Sequence, residues 1–141
     1  MTRFLISALM LVFLLAPASA QTVSPKDQTA FQAVITSQLE AFKNDDGKAA
    51  FSYAAPFIQG IFQNPENFMA MVKKGYGSIY KNTKYSFGQV VIDPTGRPIQ
   101  HVILTAPDGS RHEASYALQQ QQDGSWRIAG VQMIEIPSVE A

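Results

Sequence analysis

The sequence predicts an α+β fold, with N-terminal helices packed on a curved, four-stranded antiparallel meander sheet. Three observations lead there. Apolar residues recur at helical spacing through the first half of the chain, and β-rich runs of strand length follow. Turn signals punctuate the second half at "DPTGRP", "PDGS" and "QDGS", with glycines at positions 96, 109 and 124. Helices first and strands after place the helices on one face of the sheet.

The first twenty residues read as an address. Arg3 supplies a positive n-region, "FLISALMLVFLLA" an apolar h-region of 13 residues, and "ASA" the small residues of a cleavage site. That run is too short to span a bilayer as a helix. The reading is a cleaved Sec-type signal over residues 1–20, cut after Ala20, and a periplasmic or secreted bacterial protein. No later stretch is long and apolar enough to span. The remaining 121 residues (21–141) have the length of one domain, with a loose tail after about residue 137.

The helices follow in order. "SPKDQTAFQAVITSQLEAFKNDDG" opens with Ser24 as N-cap, Pro25 at the first helical position and Asp27 at capping-box spacing. Phe31, Val34, Ile35, Leu39 and Phe42 form its buried stripe. Asp45 or Asp46 caps a short second helix carrying Ala50, Phe51 and Ala54, which Pro56 stops. "PFIQGIF" adds one or two apolar turns. "NPENFMAMVKKG" is the clearest helix: Asn64 caps, Pro65 starts, Glu66 suits the positive end, Lys73 and Lys74 suit the negative end, and Gly75 terminates. The strands are "KYSFGQVVI", "IQHVILTA", "HEASYALQQQ" and "WRIAGVQMIEI".

Two-residue turns at Asp108-Gly109 and Asp123-Gly124 would set the register. His101 then faces Tyr116, and Tyr116 faces Val131. Ile99, Ile103, Ala114, Leu118, Ala129 and Met133 share that inner face. The outer face carries Gln100, Glu113, Ser115, Gln119, Gln121 and Gln132, mixed with Val102, Leu104, Trp126, Ile128 and Ile134. His101 and Tyr116 are then either the polar floor of a ligand pocket or a core pair bonded to each other. Trp126, Ile128, Val102 and Leu104 make a candidate interface, or Trp126 lies over its own sheet. Tyr80, where the chain leaves the helices for the sheet, is the third pocket candidate, at a cavity rim or packed with its hydroxyl at the surface.

Composition excludes several chemistries. Lys plus Arg total 11 and Asp plus Glu total 11, so no basic patch for nucleic acid is expected. The chain has no cysteine, which removes disulfides, thiol catalysis, zinc–thiolate sites and a thiol-linked lipid anchor. His101 and His112 are the only histidines; the assumed register puts them on one face but far apart, so no metal site or cofactor is expected. "DPTGRP" lacks the acidic ligands of a calcium loop. "GYG" lacks the rest of a phosphate-binding signature, and no serine stands in a nucleophile elbow. Asp45 and Asp46 could share a proton if buried, or simply end and cap helices.

"AAPFIQGIFQNPENFMAMVKKGYGSIY", followed downstream by "DGSWRIAGVQ", resembles a group of exported bacterial proteins known as domain-of-unknown-function family 4864. The likeness rests on Ala55-Pro56, Ile58, Phe62, Phe68, Met71, Val72, Gly75-Tyr76, Ile79-Tyr80 and Trp126-Arg127-Ile128, and covers nearly the whole chain after the leader. More distantly, the order of elements resembles the nuclear transport factor 2-like (cystatin-like) α+β cone. That resemblance implies a sheet wrapped round a long helix, a small-molecule cavity, and in many members pairing through the sheets. In its enzymes an Asp or His acts in the cavity, and His101 would be that residue here.

The expected function is a non-enzymatic exported domain that binds a small apolar molecule or a protein partner. The alternatives are a cone-fold acid–base enzyme of isomerase or dehydratase type using His101, and a structural homodimer joined through the sheet.

Overall fold

A computed structural model describes residues 22–137. The expected leader and the tail after Pro137 lie outside the described residues. Helix α1 spans Pro25–Lys43. Ser24 caps it, its hydroxyl accepting the Asp27 amide at 3.1 Å, and Pro25 stands where no amide donor is missed. Helix α2 (Gly47–Ser52) is capped by Asp46, whose carboxylate accepts the Ala49 amide at 3.1 Å. Helix α3 is Pro56–Phe62, and α4 is Pro65–Gly75 with Asn64 accepting the Asn67 amide at 2.8 Å. A single helical turn, α5 (Gly77–Tyr80), follows where the chain leaves the longer helices for the sheet.

Strands β1 (Lys84–Ile92), β2 (Pro98–Thr105), β3 (Arg111–Gln120) and β4 (Trp126–Ile136) form one open sheet in the order β1-β2-β3-β4, every pair antiparallel. The α+β class and the meander agree with the sequence reading. Phe31, Ile35, Leu39 and Phe42 of α1 meet Val102, Leu104, Ala114, Tyr116 and Leu118 of the sheet in one core. Fully burying an aliphatic side chain such as Leu104 contributes roughly 1.5–3 kcal/mol.

The register differs from the expected one because the loops are longer. At the β2–β3 hairpin, Ala106 N donates to Ser110 O at 2.8 Å and Gly109 N to Ala106 O at 2.9 Å. Three residues, Pro107 to Gly109, therefore lie between the bonded ends, with Gly109 at φ +83°. This is a β-turn followed by a left-handed glycine, a conformation that costs most side chains 1–2 kcal/mol or so. The β3–β4 hairpin repeats it, with Gln121 N to Ser125 O at 2.7 Å and Gly124 at φ +87°.

One extra loop residue slides β2 by one position against β3. Gln100, not His101, faces Tyr116, and His101 faces Ser115. Side chains alternate along a strand, so the slip exchanges the faces of β2. Val102 and Leu104 are buried in the core rather than placed on the outer face, while Ile99, His101 and Ile103 turn outward. His112, opposite Leu104, is on the inner side, so the two histidines occupy opposite faces.

Against β4 the Tyr116–Val131 pairing stands as expected, because two errors cancel. Ala117 pairs with Gly130 and Leu118 with Ile128, leaving Ala129 as a bulged residue. Beyond the bulge the alternation reverses. Ile128 is buried, and Trp126 packs edge-on against Phe31 with ring centroids 4.6 Å apart. A second bulge in β1, between Phe87 and Val90, explains the buried Gln100. Its side-chain amide donates to the Gly88 carbonyl at 3.0 Å and the His101 carbonyl at 2.9 Å.

Each hairpin turn carries a depressed aspartate. Hydrogen bonds from Thr95 and the Arg97 amide hold Asp93 below its ordinary value, and bonds from Ser110 and Ser125 do the same for Asp108 and Asp123. A folded pKa below the unfolded one stabilises the protein above the ordinary aspartate range, and that stability is lost as pH falls through the lowered values. Urea midpoints should therefore drop as pH falls below the ordinary aspartate value of 3.8, and the triple variant Asp93→Asn, Asp108→Asn, Asp123→Asn should drop less steeply there.

Candidate functional site

A cavity of about 320 Å³ lies between the helices and the β3–β4 half of the sheet. Gln38 and Phe42 come from α1, Ile58 and Phe62 from α3, and Phe68, Met71 and Val72 from α4. Tyr76 and Ile79 close the α4–α5 side, and Tyr116, Ile128, Gly130 and Val131 form the sheet wall. The Ala129 bulge bends this wall beside the cavity.

Helix α3 covers the cavity from a thin base. The segment leading into it clips onto the edge of β4: Ile128 N donates to Tyr53 O at 2.9 Å, and Ala55 N to Ile128 O at 2.8 Å. Pro56 then starts the helix. At its far end the Asn67 side chain donates to the Phe62 carbonyl at 3.0 Å. No residue of α3 is fully buried; Ile58 and Phe62 line the cavity, while Phe57 and Ile61 are 50% and 66% exposed.

The wall is apolar apart from three groups. The Gln38 side-chain amide donates to the Ala50 carbonyl at 3.1 Å. The Tyr76 hydroxyl donates to the Val131 carbonyl at 3.4 Å. The Tyr116 hydroxyl, in a side chain with no exposed surface, has no hydrogen-bond partner among the described residues. Burial pushes its pKa well up, so the phenol remains a proton donor.

Of the three pocket candidates in the sequence, the structure brings only Tyr116 to the cavity. His101 is on the outer face, where its Nδ1 lies 2.5 Å from Glu113 Oε1 and 3.4 Å from Ser115 Oγ. Tyr80 packs edge-on to Phe42 and turns its hydroxyl away, donating to Asp45 Oδ1 at 2.8 Å. Lys73 Nζ lies 3.1 Å from the same oxygen and 5.3 Å from the centre of the Tyr80 ring. These contacts tie α4 and α5 to the end of α1. The Tyr80 and Lys73 bonds hold the Asp45 carboxyl below its usual range, and the bonds to Asp45 raise Lys73 and Tyr80.

The four candidate interface residues all turn inward. Val102, Leu104 and Ile128 are buried and Trp126 is half-buried against α1. The outer sheet face carries Ile99, Ile103 and Ile134 among His101, Glu113, Ser115 and Gln132. Gln38 escapes notice in the sequence, although a signal exists. It stands at a stripe position of α1, between Ile35 and Phe42, where an apolar residue is expected.

Fold and cavity together define an α+β domain with helices over an open sheet and a largely apolar chamber between the layers. The chain belongs to the family described as "Domain of unknown function (DUF4864)", whose pattern matches residues 24–141. No curated protein and no solved structure matches it.

The unpartnered hydroxyl is a cost in the empty protein. Leaving a buried polar group unmade costs about 1–3 kcal/mol. Tyr116→Phe should therefore keep or raise stability, by about 1 kcal/mol in urea unfolding of ligand-free protein; a clear loss would mean that the hydroxyl is engaged.

Proposed function

We propose that this protein is an exported, non-enzymatic binder of a small apolar molecule, held between the helices and the sheet. The leader-like first twenty residues support export. The observation that carries the binding reading is the chamber of about 320 Å³, lined almost wholly by apolar side chains. Ligand sites are concave and mainly apolar, with a few polar groups among the apolar walls. The likeness to α+β cones that hold small molecules points the same way. Among the described residues, the titratable groups on the wall are two phenols, Tyr116 kept protonated by burial and Tyr76 turned to the Val131 carbonyl, while His101 faces away from it.

Two measurements test the reading. Mass spectrometry of protein purified from its native compartment should find an apolar molecule bound in stoichiometric amount. Nile red should bind the wild-type protein, and Ile58→Trp, which fills the chamber from its least buried wall, should weaken the dye at least about tenfold with the fold intact. Equal binding by both proteins would place the dye elsewhere and remove the proposal.

A further inference from the structure

One polar group on the chamber wall is left half-used by the fold, and it narrows the ligand, given the binding reading above on which this inference rests. We infer that the chamber takes an uncharged, mainly apolar molecule bearing one hydroxyl, whose hydrogen is accepted by Gln38 Oε1. Gln38 stands on the buried stripe of α1, lines the chamber and is only 3% exposed. Its Nε2 donates to the Ala50 carbonyl at 3.1 Å. A carbonyl only accepts, so this bond fixes which end of the side-chain amide meets Ala50 and leaves Oε1 out of it. Oε1 accepts from no group among the described residues. The polar atoms sealed there without a partner are Gln100 Oε1, His112 Nδ1 and Tyr116 Oη. Gln38 Oε1 is not sealed with them, so it keeps surface that another atom can touch, on a side chain of the chamber wall.

The rest of the wall selects the head group. Among the described residues no Lys, Arg, His, Asp or Glu lines the chamber. A carboxylate or ammonium head would enter without a counter-charge, and stripping an ion of water costs several kcal/mol. A carboxylate also has no hydrogen to offer an amide oxygen. Tyr76 Oη already donates to the Val131 carbonyl, and its oxygen, conjugated with the ring, is the weaker acceptor. A neutral hydroxyl is the head that meets Oε1 without bringing a charge. Size sets the scale: a chamber of about 320 Å³ holds on the order of ten water-sized groups at about 30 Å³ each. A medium-chain alcohol fits that description.

A ten-carbon series tests this by displacement of Nile red at neutral pH: decane, 1-decanol, methyl decyl ether, decanoate and decylamine. The ether keeps the oxygen and lacks the hydrogen. Measured against its own transfer from water to hexadecane, 1-decanol should bind the wild-type protein at least about tenfold better than the ether does. It should displace the dye at concentrations at least about tenfold below those of decanoate and decylamine. Gln38→Leu should weaken 1-decanol about fivefold and leave decane and the ether unchanged. The Ala50 carbonyl keeps the Tyr53 amide at 3.3 Å in that variant, and its urea midpoint checks the fold. If the variant does not fold, the wild-type comparison of alcohol with ether decides. No advantage of the alcohol over the ether would overturn the inference, as would decanoate or decylamine binding as well as the alcohol, or a Gln38→Leu loss that falls equally on decane. Failure of every compound, decane included, would instead remove the binding reading itself.

Discussion

The number of residues in each hairpin loop decides what this sheet presents to the helices. Each turn sets an aspartate or threonine before a glycine, and at Gly109 and Gly124 the backbone is left-handed. Side chains such as Ser110 and Ser125 bond back to the turn aspartates at 2.6 Å, which locks the three-residue form. A shorter loop would move β2 by one position and bring His101 and its polar neighbours under α1. The loop chemistry thus places Val102 and Leu104 in the core and keeps the imidazole out of it. Almost everything else in the architecture presupposes that register.

The two bulges then make local departures from it. In β1 the bulge frees the Gly88 carbonyl, which accepts from the side-chain NH2 of a fully buried Gln100, while the amide oxygen has no partner among the described residues. In β4 the extra Ala129 restores the pairing of Tyr116 with Val131 and turns Ile128 and Trp126 inward. That same irregular stretch receives the Tyr53–Ala55 segment on its edge and so anchors the start of α3. The chamber exists where the regular sheet gives way, beneath a helix that adds cover without burying a residue of its own. The unpaired Tyr116 phenol is a local cost to stability, as an unmade hydrogen bond of a buried group is.

Most of the fold could be read directly from local signals. Ser24-Pro25 and Asn64-Pro65 mark helix starts, the α1 stripe marks the core, and Asp-Gly pairs mark the hairpins. What escaped was anything that depends on counting across strands. Two- and three-residue loops share the Asp-Gly signal, and a bulge such as Ala129 leaves no mark in the alternation of apolar residues. His101, Val102 and Leu104 were therefore expected on the wrong faces, and Trp126 and Ile128 with them. Tyr116 was found because β3 is regular between Ala114 and Leu118 and its own alternation suffices. Tyr80 packs on Phe42 with its hydroxyl outward, the second of its two sequence readings. Its partner Asp45 lies 35 positions away, at the end of α1, and no local pattern joins the two.

The central claim is that the sheet register puts the Tyr116 phenol, and not an imidazole, on the chamber wall. Cross-strand proton contacts in the NMR spectrum of the intact protein test it most directly. The predicted result is a backbone contact between Tyr116 and Gln100 across β2–β3, with His101 paired to Ser115. A Tyr116–His101 contact would contradict it and turn the His101 imidazole to the inner face.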